Sequence, residues 1–368
     1  MSPHRRKVNS VTTSTHTGSW IVQPSDRILV TGAAGFVGSR VVNALLTLGF
    51  RNLRCLGRPF SKTDRLNEVL RAHSATGQIE IMTGNLLYPQ DCAAAVKDVQ
   101  LIFHLAAGKG EKSFPDAFMN SAVTTRNLLD ACVAEGSVRR FVNMSSFAVY
   151  KNSGNPKGRL LDESAPVEEH PEKRANAYCF AKAEQDKLVE EYSQRFGVPF
   201  IHIRPGWVYG PGNPGVHGRV GIGTFGLFLH LGGGNTMPLT YVDNCAEGMV
   251  LAGLTEGVDG EVFNIVDDDL PTSRKFLRLY KRNVRSFSSI YLPHALSYSL
   301  CYLWERYSKW SKGQLPAAYN LRFWRANWKR TRYSNAKLKN RVGWRPSIST
   351  QEGLRRHFES CRAGASHA

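Results

Sequence analysis

The segment Arg27-Ile-Leu-Val-Thr-Gly-Ala-Ala-Gly-Phe-Val-Gly38 joins an apolar run directly to three glycines. Arg27 to Thr31 has the uninterrupted apolar pattern of a strand buried on both faces. Val37, Val41, Val42, Leu45 and Leu46 then recur at helical spacing, and the pattern ends near Gly49. Strand, glycine loop and helix in this order are the setting of a dinucleotide-binding fingerprint. The glycines permit a tight turn and let the backbone approach a pyrophosphate. The helix N-terminus supplies free N–H groups and positive potential. Gly32, Gly35, Phe36, Val37 and Gly38 are therefore expected to hold a dinucleotide.

Downstream, short apolar runs alternate with helical patterns. A second strand, Asn52 to Leu56, ends at Gly57-Arg58. An acid at this place would hold a ribose 2′-hydroxyl, whereas an arginine accommodates a 2′-phosphate. Arg58, with Lys62 and Arg65 just beyond, favours NADP(H) over NAD. Strands follow at Ile79 to Met82, leading into Gly84-Asn85-Leu86, and at Leu101 to Leu105, leading into Ala106-Ala107-Gly108. Small residues there let a ring or a ribose lie against the backbone. A helix is expected from Asn120 to Ala134. Further strands run from Arg140 to Met144, before Ser145 and Ser146, from Phe200 to Arg204, before Pro205, and from Glu261 to Val266. This rhythm implies a parallel, doubly wound sheet.

Between the fifth and sixth strands, Ala175 to Tyr192 reads as a helix carrying Tyr178-Cys-Phe-Ala-Lys182. Residues four apart share one face. An ammonium that close stabilises a phenolate, so the tyrosine pKa is expected to fall toward neutrality and the residue to serve as general acid or base. The pair alone is also an ordinary surface pair. Its weight comes from its place in the chain.

Composition narrows the class. The chain has 368 residues, 42% of them hydrophobic, enough for a sizeable core. Residues 1–25 are polar, with Arg5, Arg6 and Lys7 and no apolar stretch, and are expected to be a disordered basic tail rather than a secretory signal. Seven scattered cysteines without Cys-x2-Cys spacing argue against a zinc site or a disulfide framework, so no metal is expected and a reducing, cytoplasmic compartment is. Residues 271–368 hold 21 lysines and arginines against three acids, an excess of 18 that equals the net charge of the whole chain. Within them, residues 286–304 carry no formal charge, and Leu296, Leu300, Leu303, Tyr307 and Trp310 form one helical stripe. Five of the seven tryptophans (304, 310, 324, 328 and 344) lie in this basic region. Bases and interfacial aromatics together suit an anionic membrane surface or an acidic, lipid-linked substrate. Pro293 and five serines interrupt the uncharged run, so no spanning helix is expected, and no nucleic-acid module is visible.

Taken in order, T-G-A-A-G-F-V-G at 31–38, H-L-A-A at 104–107, S-S-F-A-V-Y at 145–150, Y-C-F-A-K at 178–182, R-P-G-W-V-Y-G-P-G at 204–212, Y-V-D-N at 241–244 and G-W-R-P at 343–346 carry a resemblance. From about Arg27 to Gly353 the chain resembles the extended short-chain dehydrogenase/reductase family, also called the NAD-dependent epimerase/dehydratase family. The resemblance implies that Tyr178 is the catalytic acid/base. It implies that Lys182 holds the nicotinamide ribose and lowers the tyrosine pKa, and that Ser146 hydrogen-bonds the reacting oxygen. It further implies that Asn85 and Leu86 meet the adenine end, and that Ala106, Ala107, Asn120 and Pro205 line the cofactor. Two departures stand out. Phe147-Ala148 follows Ser146 where dehydratases carry Asp-Glu, which argues against elimination. Trp207 stands where many UDP-sugar epimerases have an asparagine.

The expected architecture is a Rossmann-type core over 26–204, completed by about 236–269. A smaller substrate-binding lobe is expected from 205–235 and 270–335, where the family has a substrate lid, so a core stripe at 296–310 is the plainer expectation. A C-terminal helix and tail over 336–368 complete the chain. The expected function is NAD(P)-dependent hydride transfer between a secondary alcohol or ketone carbon and the nicotinamide. A nucleotide-sugar epimerase with tightly held NAD is the alternative, and a non-catalytic NADP-sensing or membrane-surface binding protein is a third reading. By family analogy a homodimer is expected; the cysteine usage leads to the expectation of a cytoplasmic protein, and the basic aromatic C-terminal region to that of one peripheral to the membrane.

Overall fold

A computed structural model of the chain describes residues 19–75, 77, 79–108, 113–152, 158–224, 226–311, 314 and 320–365. Seven parallel strands form its centre: β1 (Arg27–Thr31), β2 (Leu53–Gly57), β3 (Glu80–Thr83), β4 (Val99–His104), β5 (Arg140–Met144), β6 (Phe200–Pro205) and β7 (Val262–Ile265). Their order is β7-β6-β5-β4-β1-β2-β3. The chain therefore starts at β1, winds to one edge, and returns past β1 to the other. The doubly wound parallel sheet expected from the sequence is what forms, with strand ends moved by one or two residues.

Successive residues of β1 explain its unbroken apolar run. Ile28 and Val30 enter one core layer and Leu29 the other, and all three are inaccessible to solvent. Helices α1 (Gly38–Thr47) and α4 (Val242–Leu254) cover the first face through Val41, Leu45, Met249 and Val250. Helices α2 (Thr124–Glu135) and α3 (Ala177–Phe196) cover the second through Leu128, Leu129 and Val189. Asn176 caps α3, its side chain accepting from the Cys179 N–H at 2.9 Å, and Gly197 ends it at φ 70°. The helix expected to begin at Asn120 instead opens with a π-helical turn, Met119–Val123, before α2 begins.

Beyond the sheet, Ser273–Asn283 forms α5, His294–Trp310 α6, Leu321–Trp328 α7 and Thr350–Ala365 α8. The α5 side chains Phe276, Leu277 and Tyr280 pack with Tyr209, Tyr241 and Phe358 into a second core. A three-stranded sheet, Ser289–Tyr291, Leu227–His230 and Gly221–Thr224, leads into α6. The core stripe expected on α6 does not form. Leu296, Leu300, Leu303, Tyr307 and Trp310 are all exposed, because α6 turns Ser297, Cys301 and Ser308 inward instead. Trp324, Trp328 and Trp344 are buried. Among the described residues no helix is long and apolar enough to cross a membrane, and no group of three or more His, Cys, Asp or Glu side chains is placed to hold a metal ion.

Residues 1–18 of the expected tail lie outside the described residues. Residues 19–25 do not behave as a tail. Trp20 rests on Phe50 with ring centroids 5.3 Å apart, and the Ile21 N–H donates to the Leu254 carbonyl at 2.9 Å. The core thus begins some residues earlier than composition suggested, because Trp20 and Ile21 lead directly into a buried Val22.

A Cβ added at Gly38 would stand 2.1 Å from the Gly32 carbonyl oxygen, and the obstruction is backbone on both sides. Gly38→Ala should therefore destabilise the chain by about 2–4 kcal/mol, read as a lowered urea midpoint with an unchanged slope. An unaltered midpoint would mean that the loop is looser than its geometry indicates.

Candidate active site

The carboxyl ends of β1, β2, β3 and β4 surround a cavity of about 520 Å³. This is where open parallel sheets bind ligands. Eleven residues singled out in the sequence line it: Gly32, Gly35, Phe36, Val37, Gly38, Arg58, Asn85, Leu86, Ala106, Ala107 and Asn120. Gly32 has φ 69°, and a Cβ on it would lie 3.1 Å from the Ala106 nitrogen. The loop is thus a cradle that side chains would fill, and it fits a pyrophosphate lying on the N-terminus of α1. Pro205 is not among the lining residues. It closes β6, buried beside Ile265.

Arg58 and Lys62 both face the cavity rim. Arg65 does not join them, because its guanidinium donates to the Gly212 carbonyl at 2.8 Å and lies over the Phe36 ring. Asn85 is partly engaged. Its side-chain oxygen accepts from the Leu87 N–H at 3.1 Å, closing a local turn, while its own N–H donates to Asp91. Asn120 sits in the π turn, its amide donating to the Asp116 carbonyl at 2.9 Å. Extra turns of this kind recur where a helix must present a side chain off its regular face.

Ser146 and Tyr178 come together. The Ser146 side chain accepts from the Ala148 N–H at 3.2 Å, capping the short turn Phe147–Val149, and its hydroxyl acts to lower the Tyr178 pKa. In one respect Tyr178 departs from the sequence reading. Burial pushes its phenol up to about 12, the Ser146 hydroxyl pulls the other way, and Cys179 and Asp186 add to the rise. The Lys182 ammonium, expected to lower it, donates instead to the Met144 carbonyl at 2.6 Å and to Gln185 Oε1 at 2.8 Å. Burial brings Lys182 itself down to about 8, with Asp186 opposing. Met144 lines the cavity, whereas Ser146, Tyr178 and Lys182, like Pro205, are not among its lining residues.

From Lys182 a buried chain of hydrogen bonds leads to the glycine loop. Gln185 Nε2 donates to Thr125 Oγ1 at 2.9 Å, and Thr125 donates to the Ser121 carbonyl at 2.6 Å. His104 stands between Thr125 and Thr31, 2.9 Å from each. Burial, and then the charge of Lys182, hold its imidazole down to about 3, so it is neutral. Thr31 Oγ1 accepts from the N–H groups of Leu105 and Ala106, so its proton goes to His104 Nδ1. His104 Nε2 then carries the ring proton and donates to Thr125. Every donor in the chain has one direction.

A second buried group, Asp186, sits one turn beyond Lys182. It accepts from Ser145 at 2.6 Å, Asn143 at 2.9 Å and Arg204 at 3.0 Å. Burial opposes its charge, but His202, Arg204, the Ser145 hydroxyl and Lys182 outweigh burial and hold the carboxyl below its usual range. Arg174 donates to the carbonyls of Ala148 and Tyr150 and pairs with Glu168, which also pairs with Arg322 of α7 at 3.0 Å. The segment behind Ser146 is thereby clamped. Sequence reasoning missed Gln185, Asp186 and Arg174. The first two were findable, since 178, 182, 185 and 186 share one helical face; Arg174 had no local signal. Trp207 packs among Tyr209, His217, Phe276 and His357.

A model of the NAD dependent epimerase/dehydratase family matches residues 28–266. The 3beta-hydroxysteroid-dehydrogenase/decarboxylase isoform 1 of Arabidopsis thaliana is 26% identical over an alignment of 378 residues, covering 94% of this chain and 80% of that protein. An uncharacterized UDP-glucose epimerase of Bacillus subtilis, YtcB, is 33% identical over 196 residues, 50% of this chain and 57% of that protein. The UDP-glucuronic acid 4-epimerase of Bacillus cereus, solved with UDP-glucuronic acid and NAD, superposes with a TM-score of 0.67 at 21% identity over 92% of this chain and 99% of that one, a likeness of fold.

Asp186→Asn leaves Arg204 charged and buried without its counter-ion. It should cost about 3–5 kcal/mol at neutral pH, measured by urea unfolding. Because the Asp186 pKa is depressed in the fold, its contribution is present above the ordinary carboxylate range and is lost as pH falls through the folded value. The stability gap between the two proteins should therefore narrow in acid. A gap that is constant from pH 7 to roughly pH 3 would count against the ion-pair account.

Proposed function

Since the chain belongs to the NAD dependent epimerase/dehydratase family, we propose that it binds NAD(P) in the strand-end cavity and moves a hydride from, and back to, a secondary alcohol carbon of a nucleotide-sugar. The observation that supports this reading is that Tyr178, whose phenol pKa Ser146 acts to lower, and Lys182, one turn along α3 and bonded to the carbonyl of the cavity-lining Met144, converge beside the strand-end cavity. A sensor or a passive binding protein has no use for such a proton-transfer set. The proposed layout places the cofactor on residues 26–204 and 236–269, and the substrate between them and a lobe of about 205–235 and 270–335.

When bound, the nicotinamide supplies the carbon that accepts and returns the hydride. The residues of the chain handle the proton that must move with it. Ser146 holds the substrate oxygen beside the phenol. As the alcohol carbon is oxidised, the phenolate form of Tyr178 would take the hydroxyl proton on its Oη, and as the carbon is reduced the resulting phenol would return that proton to the carbonyl oxygen. Because the phenol is protonated at neutral pH, the phenolate must first form by loss of its proton to solvent. The Lys182 ammonium spends two of its three protons on Met144 and Gln185 and offers the third, with its charge, toward the cavity. Phe147, buried and stacked on Tyr333, stands where elimination would need an acid, which supports redox chemistry at one carbon over dehydration.

The epimerase reading draws support from the nucleotide-sugar enzymes among the relatives and from NAD in the structure of the Bacillus cereus epimerase. A second reading, a dehydrogenase that exchanges its cofactor, is favoured by the span of the Arabidopsis dehydrogenase match and by Trp207, which gives a sugar no amide. Arg58 and Lys62 at the rim suit a 2′-phosphate, so NADP belongs with this second reading.

Denaturing the purified protein and weighing the released nucleotide separates the two. Stoichiometric NAD supports the epimerase; an empty protein that binds NADPH more tightly than NADH supports the dehydrogenase and the role of Arg58. With either substrate class, Tyr178→Phe should lower turnover about 10²–10⁴-fold while cofactor affinity stays within about threefold. Full turnover in that variant would sink the mechanism. Because Lys182 is charged below about 8 and neutral above it, activity should fall as pH rises through that value. A rate that climbs steadily past it would remove the ammonium from the mechanism.

A further inference from the structure

Helix α6 is amphipathic in the wrong sense for a core helix. At 100° per residue, Leu296, Leu300, Leu303, Tyr307 and Trp310 fall within an arc of about 80°. All five lie outward, with Leu303 59%, Tyr307 51% and Trp310 77% exposed. The opposite arc is small and polar. Ser297, Cys301 and Ser308 are buried, and Ser297 Oγ accepts from the Trp324 indole of α7 at 3.1 Å. Tyr298 packs on the same indole with ring centroids 5.2 Å apart. Packing on α7 therefore sets the rotation of α6, and that rotation puts the larger apolar stripe in water. Apolar patches of this kind on a folded chain mark a surface that something covers.

Charge says what covers it. Between residues 271 and 330 Glu305 is the only acid among thirteen lysines and arginines. Glu305 is itself committed, pairing with Lys309 at 2.7 Å and accepting from the Leu321 N–H at 3.0 Å. Arg306 flanks the stripe on the helix surface. A second copy of this chain would bring a second strongly basic surface against the first, and like charges would oppose the contact. An anionic bilayer attracts the same surface. Its headgroup zone is where tyrosine and tryptophan rings settle, and Tyr307 and Trp310 stand stacked at the end of the stripe, 5.6 Å apart. We propose that α6 lies in the plane of an anionic lipid bilayer, its outward stripe in the interface and the surrounding lysines and arginines on the headgroups, so that the enzyme works at a membrane surface. This goes beyond the proposed activity and does not depend on it.

The full chain should float with vesicles of phosphatidylcholine containing roughly 30% phosphatidylglycerol, and bind at least about tenfold more weakly to phosphatidylcholine alone. Binding should weaken as salt is raised. The double variant Leu303→Ser/Trp310→Ser changes only exposed side chains, so its thermal midpoint and nucleotide binding should match the parent while vesicle affinity falls about tenfold or more. Failure of the parent chain to float, or undiminished binding by the double variant, overturns the proposal. So does light scattering that shows a dimer which the double variant dissolves, since the stripe would then be a contact between two copies.

Discussion

The hydrogen-bond chain from Lys182 through Gln185, Thr125 and His104 to Thr31 is the constraint on which the site depends. It joins the helix that carries Tyr178 to the strand that feeds the glycine loop. Its rigidity follows from saturation. Thr31 has both lone pairs filled by backbone N–H groups, and Thr125 gives its proton to a carbonyl. Neither hydroxyl can turn without leaving a buried group unpaired, which costs about 1–3 kcal/mol. The neutral state of His104 is part of the same logic. A protonated ring would put a proton on Nδ1 against the hydroxyl hydrogen of Thr31, and a charge beside Lys182. Burial and that neighbouring charge together keep the ring neutral.

Asp186 does the complementary work. Lys182 and Arg204 bring positive charge into a space closed to water, and Asp186 is the carboxylate they share. A buried ion pair is a poor source of net stability, since desolvation offsets most of its attraction. Its value here is positional. Asp186 draws Arg204 of β6 and Ser145, just past β5, toward α3, so that Ser146 arrives beside Tyr178. The raised tyrosine pKa is the consequence of the same burial that makes the geometry unique.

Much of this was legible in the sequence because it is local. The apolar run of β1, the glycines that follow it and the shared helical face of Tyr178 and Lys182 each depend on neighbours within one turn or strand, and the structure has all three. The glycine loop, Arg58 and Asn120 line one cavity as the order of motifs implied. What local pattern hid was long-range. Nothing near Lys182 reveals that its ammonium points at Met144 rather than at the phenol; that follows from how α3 sits across β5. The stripe on α6 has the spacing of a buried face, and spacing says which residues share a face, not which way the face points. Packing of Ser297 and Tyr298 on Trp324 decided that. Pro205 is the second residue of the motif at 204–212 yet falls within the sheet as the last residue of β6, where a buried strand end leaves no room for it to line a cavity.

The two halves of the charge distribution serve different ends. Residues 1–270 are balanced, and the buried ion pairs of the site use that balance in matched sets. The basic C-terminal quarter meets the site through one such set. Arg322 of α7 reaches Glu168, Glu168 holds Arg174, and Arg174 grips the carbonyls of Ala148 and Tyr150 behind Ser146. Since α7 also seats α6, one line of contacts runs from the exposed stripe to the loop that bears Ser146. A line of contacts transmits a signal only if some link has two stable arrangements. Here the central link is a carboxylate with both side chains of its pair nearly inaccessible to solvent, held by a guanidinium on each side. Releasing Arg174 would leave its buried guanidinium without that counter-ion. The line therefore acts as a strut, fixing the loop that bears Ser146 relative to the helices that carry the lobe's charge, and it keeps that spacing whatever the outer face of α6 touches.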